Sequence, residues 1–171
     1  MSNRLSISGD DDDWQVFGKR PPGGNEMLFR SRSGNPAVKA YALENEMARL
    51  RCVLAPGQVR EDGMPVSTKD LDDYEDSLLS ALTSAGAEVY LIAVVTGEGN
   101  RDLFFAARDI DDLRAGIKAS TSAKTISLKI APVGDKEAFL KGLSLAPEEE
   151  RAAIARQQQG SGGFLGRLFG H

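Results

Sequence analysis

The sequence has one histidine, one cysteine and one tryptophan in 171 residues, and each scarcity removes a class of chemistry. General acid–base work at neutral pH most often uses histidine. Here the sole histidine is His171, the last residue, behind the glycine-rich stretch Gly160-Ser161-Gly162-Gly163. A single cysteine, Cys52, excludes an intrachain disulfide and suits a reducing compartment. Metal centres built on histidine or thiolate are excluded by count. No run approaches the ~20 apolar residues of a membrane span. The segment Met1 to Asp10 lacks the apolar core of a signal peptide. Basic excess is missing too: 21 Lys and Arg stand against 25 Asp and Glu, for a net charge of −4. A mildly acidic chain without a basic stripe is a poor match for phosphate backbones. The expectation is a cytoplasmic protein with neither membrane nor nucleic acid as partner.

What is present is an order of elements. From Leu50 to Ala131 the pattern runs strand, helix, strand, strand, helix, strand. Arg49 to Ala55 alternates, with Leu50, Cys52 and Leu54 on one face and Arg49, Arg51 and Val53 on the other. Ser67 to Ala85 predicts a helix capped by Ser67, with an apolar stripe of Leu71, Tyr74, Leu78 and Leu82 and a stop at Gly86. Glu88 to Thr96 and Asp102 to Arg108 are apolar strands joined by the turn Gly97-Glu98-Gly99-Asn100. Asp109 caps a shorter helix with Ile110, Leu113 and Ile117 on one face. Thr125 to Ala131 alternates cleanly, as an edge strand does.

This βαββαβ order predicts an α+β fold of ferredoxin-like type, with helices on one face of an antiparallel sheet. Trp14 to Lys19 and Glu26 to Arg30 read as an N-terminal β-hairpin extension around the loop Arg20 to Asn25. Ala37 to Glu46 fits either a strand or a helix, and alternation of Val38, Ala40 and Ala42 favours a strand. C-terminal helices are expected over residues 135–142 and 146–159. The chain thus divides into a disordered acidic N-terminus (1–12), the α+β domain with its hairpin (13–143), and a helix, glycine-rich linker and apolar tail (144–171).

The sheet face opposite the two crossover helices needs a cover, because a row of Tyr90, Ile92 and Val94 would otherwise face water. The hairpin is the favoured cover, anchored by Trp14, Phe17 and Phe29. A homodimer comes second, and the C-terminal helices are the third choice.

A search for reacting groups returns no catalytic residue. Cys52 lies mid-strand with no histidine to activate it. No serine sits in a nucleophile elbow. Asp72 and Asp76 share a helix face, which reads as a solvated surface rather than a cation site. The run Asp10 to Asp13 lacks the spacing of a calcium loop. The glycines at 97 and 99 lie in a hairpin, not between a strand and a helix, so they do not cradle a dinucleotide. No cofactor and no metal follow from these residues.

Two weaker sites remain. Arg49, Arg51 and Tyr90, near the 56–66 loop, form a candidate cleft for a small anionic ligand. Phe164, Leu165, Leu168 and Phe169 share one face of a helical turn and form a candidate docking peptide for a protein partner.

Several of these residues also carry a resemblance. Trp14, the run Asp62-Gly63-Met64-Pro65 leading into Leu71, Tyr74, Glu75 and Leu78, and the hairpin Thr96 to Arg101 followed by Phe104, Phe105 and Asp109 resemble a bacterial family, domain of unknown function 695, over roughly residues 14–133. That family is similar to a ferredoxin-like family typified by regulator B of ribonuclease E activity, which acts by binding an enzyme. The resemblance implies a non-catalytic protein-interaction or regulatory module. The alternative is a small anionic-ligand binder or enzyme with an arginine-lined cleft.

Overall fold

The computed structural model of the chain describes residue 7 and residues 14–120 and 126–143. These residues form an α+β fold built on one six-stranded antiparallel sheet. The strands are β1 (Gln15–Lys19), β2 (Met27–Ser31), β3 (Glu46–Leu54), β4 (Val89–Gly97), β5 (Asn100–Ala107) and β6 (Ile126–Pro132). The helices are α1 (Pro36–Glu44), α2 (Lys69–Ser84), α3 (Ile110–Ala119) and α4 (Lys136–Leu143). Across the sheet the order is β1-β2-β4-β5-β3-β6.

Helices cover both faces. Helices α2 and α3 pack on one, where Leu71, Tyr74, Leu78, Leu82 and Leu113 meet Leu50, Cys52, Leu91, Leu103 and Phe105. Helices α1 and α4 pack on the other, where Val38, Ala42, Leu140 and Leu143 meet Met47, Ile92, Ala93, Phe104 and Ala106. This corrects the expectation that the hairpin would cover the second face. The β1–β2 hairpin instead pairs with β4 and widens the sheet. Its rings Phe17 and Phe29 stack on each other at 5.2 Å. Trp14 lies over the guanidinium groups of Arg30 and Arg32, at 5.3 and 5.9 Å.

The segment expected as a strand at 37–46 is largely helix α1. Val38 and Ala42 are both buried, and they satisfy an i, i+4 helical spacing as well as an alternating one. The deciding signal is local. Asn35 accepts a hydrogen bond from the Ala37 amide, and Pro36 occupies the first turn, where its missing N–H costs nothing. Helix α2 begins one residue later than its expected cap. Thr68 is the N-cap residue, while the Ser67 hydroxyl oxygen accepts from the Lys69 amide at 3.2 Å. Its end is as expected, with Gly86 at φ +63°.

A β-bulge in β4 changes which residues share a face. Leu91 is opposite Phe105 and Ala93 is opposite Phe104, so Ile92 is the extra residue. Ile92 and Ala93 both meet α1 and α4, and Val94 turns to the α2–α3 face. The expected row of Tyr90, Ile92 and Val94 is therefore broken. A bulge leaves backbone carbonyls without ladder partners, and Arg32 supplies them. Its amide donates to the Ile92 carbonyl at 2.9 Å and its Nη1 to the Leu91 carbonyl at 3.1 Å.

Candidate functional site

Strand β3 presents Arg49 and Arg51 on the face bearing α1 and α4, because alternate residues on a strand point the same way. Across the ladders Arg49 lies between Phe104 and Ala131, and Arg51 lies between Asp102 and Lys129. Arg51 donates Nε to Asp102 Oδ1 and Nη2 to Asp102 Oδ2, each at 2.8 Å. These hydrogen bonds raise the guanidinium pKa above its ordinary value. The Asp102 side chain is 10% exposed and that of Arg51 34%. Arg49 differs: its Nε is buried and has no hydrogen-bond partner.

Tyr90 does not join them. It pairs with Ala106, which pairs with Met47, so it lies two strands from β3, roughly 10 Å away. Its ring is covered edge-on by Tyr41, with centroids 4.6 Å apart. The loop at 56–66 lies at the opposite end of the sheet from Tyr90, against the β4–β5 turn, where the Gly99 amide donates to the Gly63 carbonyl at 2.8 Å. The docking residues Phe164, Leu165, Leu168 and Phe169, and His171, lie outside the described residues.

A cleft of about 690 Å³ opens at the end of the sheet where β3 begins and β6 ends. It is lined by the apolar side chains of Met47, Ile110, Ile130 and Val133 and by the charged residues Glu44, Glu46, Arg108, Arg114 and Lys136. Lys136 closes one wall by donating Nζ to the carbonyls of Leu43 and Asn45, at 2.8 and 2.6 Å, just where α1 leaves its last carbonyls unpaired. Ile130 is opposite the core residue Leu50 in the register, yet it is 39% exposed. Burial declines along β6 from Ile126 through Leu128 to Ile130. No sequence signal marked this cleft, since its walls come from three separate stretches of chain, 44–48, 108–114 and 130–136.

A second charged cluster joins α2 to the sheet. Glu75 accepts from Arg30 Nη2 at 2.6 Å and from Arg101 Nη1 at 3.4 Å, and Asp72 accepts from Arg101 Nη1 at 2.6 Å. Arg101 Nε also donates to Thr96 Oγ1 at 3.1 Å. Glu75 and Arg101 are buried. Asp72, one half of the carboxylate pair read as a solvated face, is thus held by a guanidinium. Burial, then the charge of Glu75, raises the Asp76 pKa. Such pairing suits a structural tie between helix and sheet.

Cys52 is buried, and burial pushes its thiol up to about 12. A thiol so far from ionisation is a poor nucleophile. Among the described residues no helix is long and apolar enough to cross a membrane, and no group of histidine, cysteine or carboxylate side chains is placed to hold a metal. No protein family, curated protein or solved structure matches the chain.

Proposed function

We propose that this chain is a non-catalytic protein-interaction module on a ferredoxin-like scaffold, taking an extended segment of a protein partner beside β6 and into the cleft at its end. The scaffold reading rests on the order β6-β3-β5-β4, in which the two βαβ crossovers interleave antiparallel. The added hairpin extends that unit without altering its order. Kinship with domain of unknown function 695 belongs to the same proposal. Its support is that residues carrying the resemblance meet in space, as Glu75 with Arg101 and Gly63 with Gly99.

The observation that carries the function is Ile130, a large apolar side chain exposed on an edge strand and lining a cleft that combines apolar side chains with charges of both signs. An apolar centre with a polar rim is how protein interfaces are built, and an edge strand offers unpaired backbone groups to an added strand. The apolar tail Phe164 to Phe169 is the second contact in this reading.

The test is capture of a partner by the full chain, its identification, and titration of the purified pair. Ile130→Asp should weaken binding at least about tenfold, with the fold intact by amide NMR. Removing residues 160–171 measures the share of the tail. Unchanged affinity in both variants would reject the module.

A further inference from the structure

We propose that Arg49, Arg51 and Lys129 form a binding site for a phosphate group on the β3–β6 corner of the sheet, distinct from the cleft. Residues two apart on a strand face stand roughly 7 Å apart, and directly paired residues about 5 Å apart. Arg49, Arg51 and Lys129, which is directly across from Arg51, therefore place three long cationic side chains within reach of one small anion.

Only one of them is neutralised in place. Asp102 commits both of its oxygens to Nε and Nη2 of Arg51, which leaves the Nη1 edge of that guanidinium for another acceptor. Arg49 has a buried Nε with no acceptor among the described residues. A buried donor without an acceptor is costly, so the Nε of Arg49 calls for an acceptor that the described residues do not supply. Lys129 is exposed. Three cations against one carboxylate leave an excess matching a phosphate dianion. The planar fork of arginine suits its oxygens. Asp102 opposes the ligand by charge, and it also fixes the Arg51 plane so that little rotamer freedom is lost on binding.

Among the described residues nothing is seen to cover the Lys129 end of this corner. Helix α4 runs towards β1, where the Gly142 carbonyl accepts from Lys19 Nζ at 2.7 Å, and Ser127 and Lys129 of β6 stay exposed. Phosphate-bearing small molecules and free phosphate share this chemistry.

The probe is inorganic phosphate, titrated into the full chain at constant ionic strength while the side-chain Nε–Hε resonances of Arg49 and Arg51 are followed by NMR. Saturable shifts of both are expected, weakened about tenfold in Arg49→Gln and in Lys129→Gln with amide spectra unchanged. Phenyl phosphate distinguishes the source: tighter binding than phosphate assigns a phosphorylated small molecule, and equal or weaker binding assigns the free ion. A fixed Arg49 resonance overturns the site, as does an equal shift with chloride or wild-type affinity in Arg49→Gln. Ile130→Asp should leave phosphate binding unchanged, so failure here is separable from failure of the cleft.

Discussion

Arg51 and Asp102 face each other across the β3–β5 ladder and share two parallel hydrogen bonds of 2.8 Å, yet the two partners are buried unequally. The asymmetry makes a prediction. Arg51→Ala leaves a carboxylate stranded in the protein and should cost roughly 2–3 kcal/mol. Asp102→Ala leaves a guanidinium that is already one-third exposed and free to turn to water, at about 1 kcal/mol. Urea unfolding of both variants measures this. Equal costs would mean that burial does not govern this pair.

The Glu75 cluster predicts a wider spread. Glu75→Ala removes the shared acceptor of Arg30 and Arg101 and leaves buried Arg101 with Asp72 as its one carboxylate partner among the described residues. A loss of roughly 3–5 kcal/mol is expected, the range for breaking a buried pair from one side. Asp72 is 55% exposed, so Asp72→Ala should cost less than about 1 kcal/mol. Thermal or urea melts separate the two. Similar small losses in both would show that α2 is held by its apolar stripe alone.

Close approach of α2 and α3 gives a third prediction. A Cβ on Gly116 would lie 2.5 Å from Leu82 Cδ2 and 3.0 Å from its Cγ. Alanine within a helix normally gains up to about 1 kcal/mol over glycine. Here overpacking should outweigh that gain, and Gly116→Ala should destabilise by roughly 1–3 kcal/mol. Shortening the neighbour relieves the clash, so Gly116→Ala with Leu82→Ala should cost less than the two single losses together. Strict additivity would show that the helices move apart freely.

The sequence made the middle of this fold readable for a physical reason. From Arg49 to Val133 the helices are long or well capped, and alternation in β3 and β6 separates Leu50 and Cys52 from Arg49 and Arg51. Helix α1 is ambiguous in the sequence because Val38 and Ala42 fit two periods, and the signal that decides it, the Asn35-Pro36 cap, lies just outside that segment. The bulge at Ile92 leaves no mark in a run that is apolar on both faces, so the parity of Val94 could not be read. The same limit applies to function. That Arg49 and Arg51 share a face follows from their spacing. The open Nε of Arg49 and the joining of Glu46, Arg108, Ile130 and Lys136 around one cleft depend on how distant elements meet.

Cys52 supplies the last prediction. It is 1% exposed and sits between Arg101 and Leu128 in the register, so disulfide reagents should reach it only when the protein opens. Labelling near pH 8 should then follow the population of the open form, and should level off at the unfolding rate once the reagent concentration is high enough for modification to outpace reclosing. The thiol also couples folding to pH. Its folded value is about 12 against an ordinary 9.0, so above pH 9 the unfolded chain releases a proton that the folded chain keeps. Stability contributed by this group is complete below pH 9 and is lost progressively from pH 9 to about 12, by about 1 kcal/mol at the first unit. Tyr41 and Tyr74, whose values burial also raises, add slopes of the same sign at higher pH. The difference between wild type and Cys52→Ala isolates the thiol. The alanine variant should start less stable by its lost packing and close part of that gap as the pH rises. A constant gap from pH 8 to 10.5, or rapid labelling of the native protein, would place the thiol in contact with water.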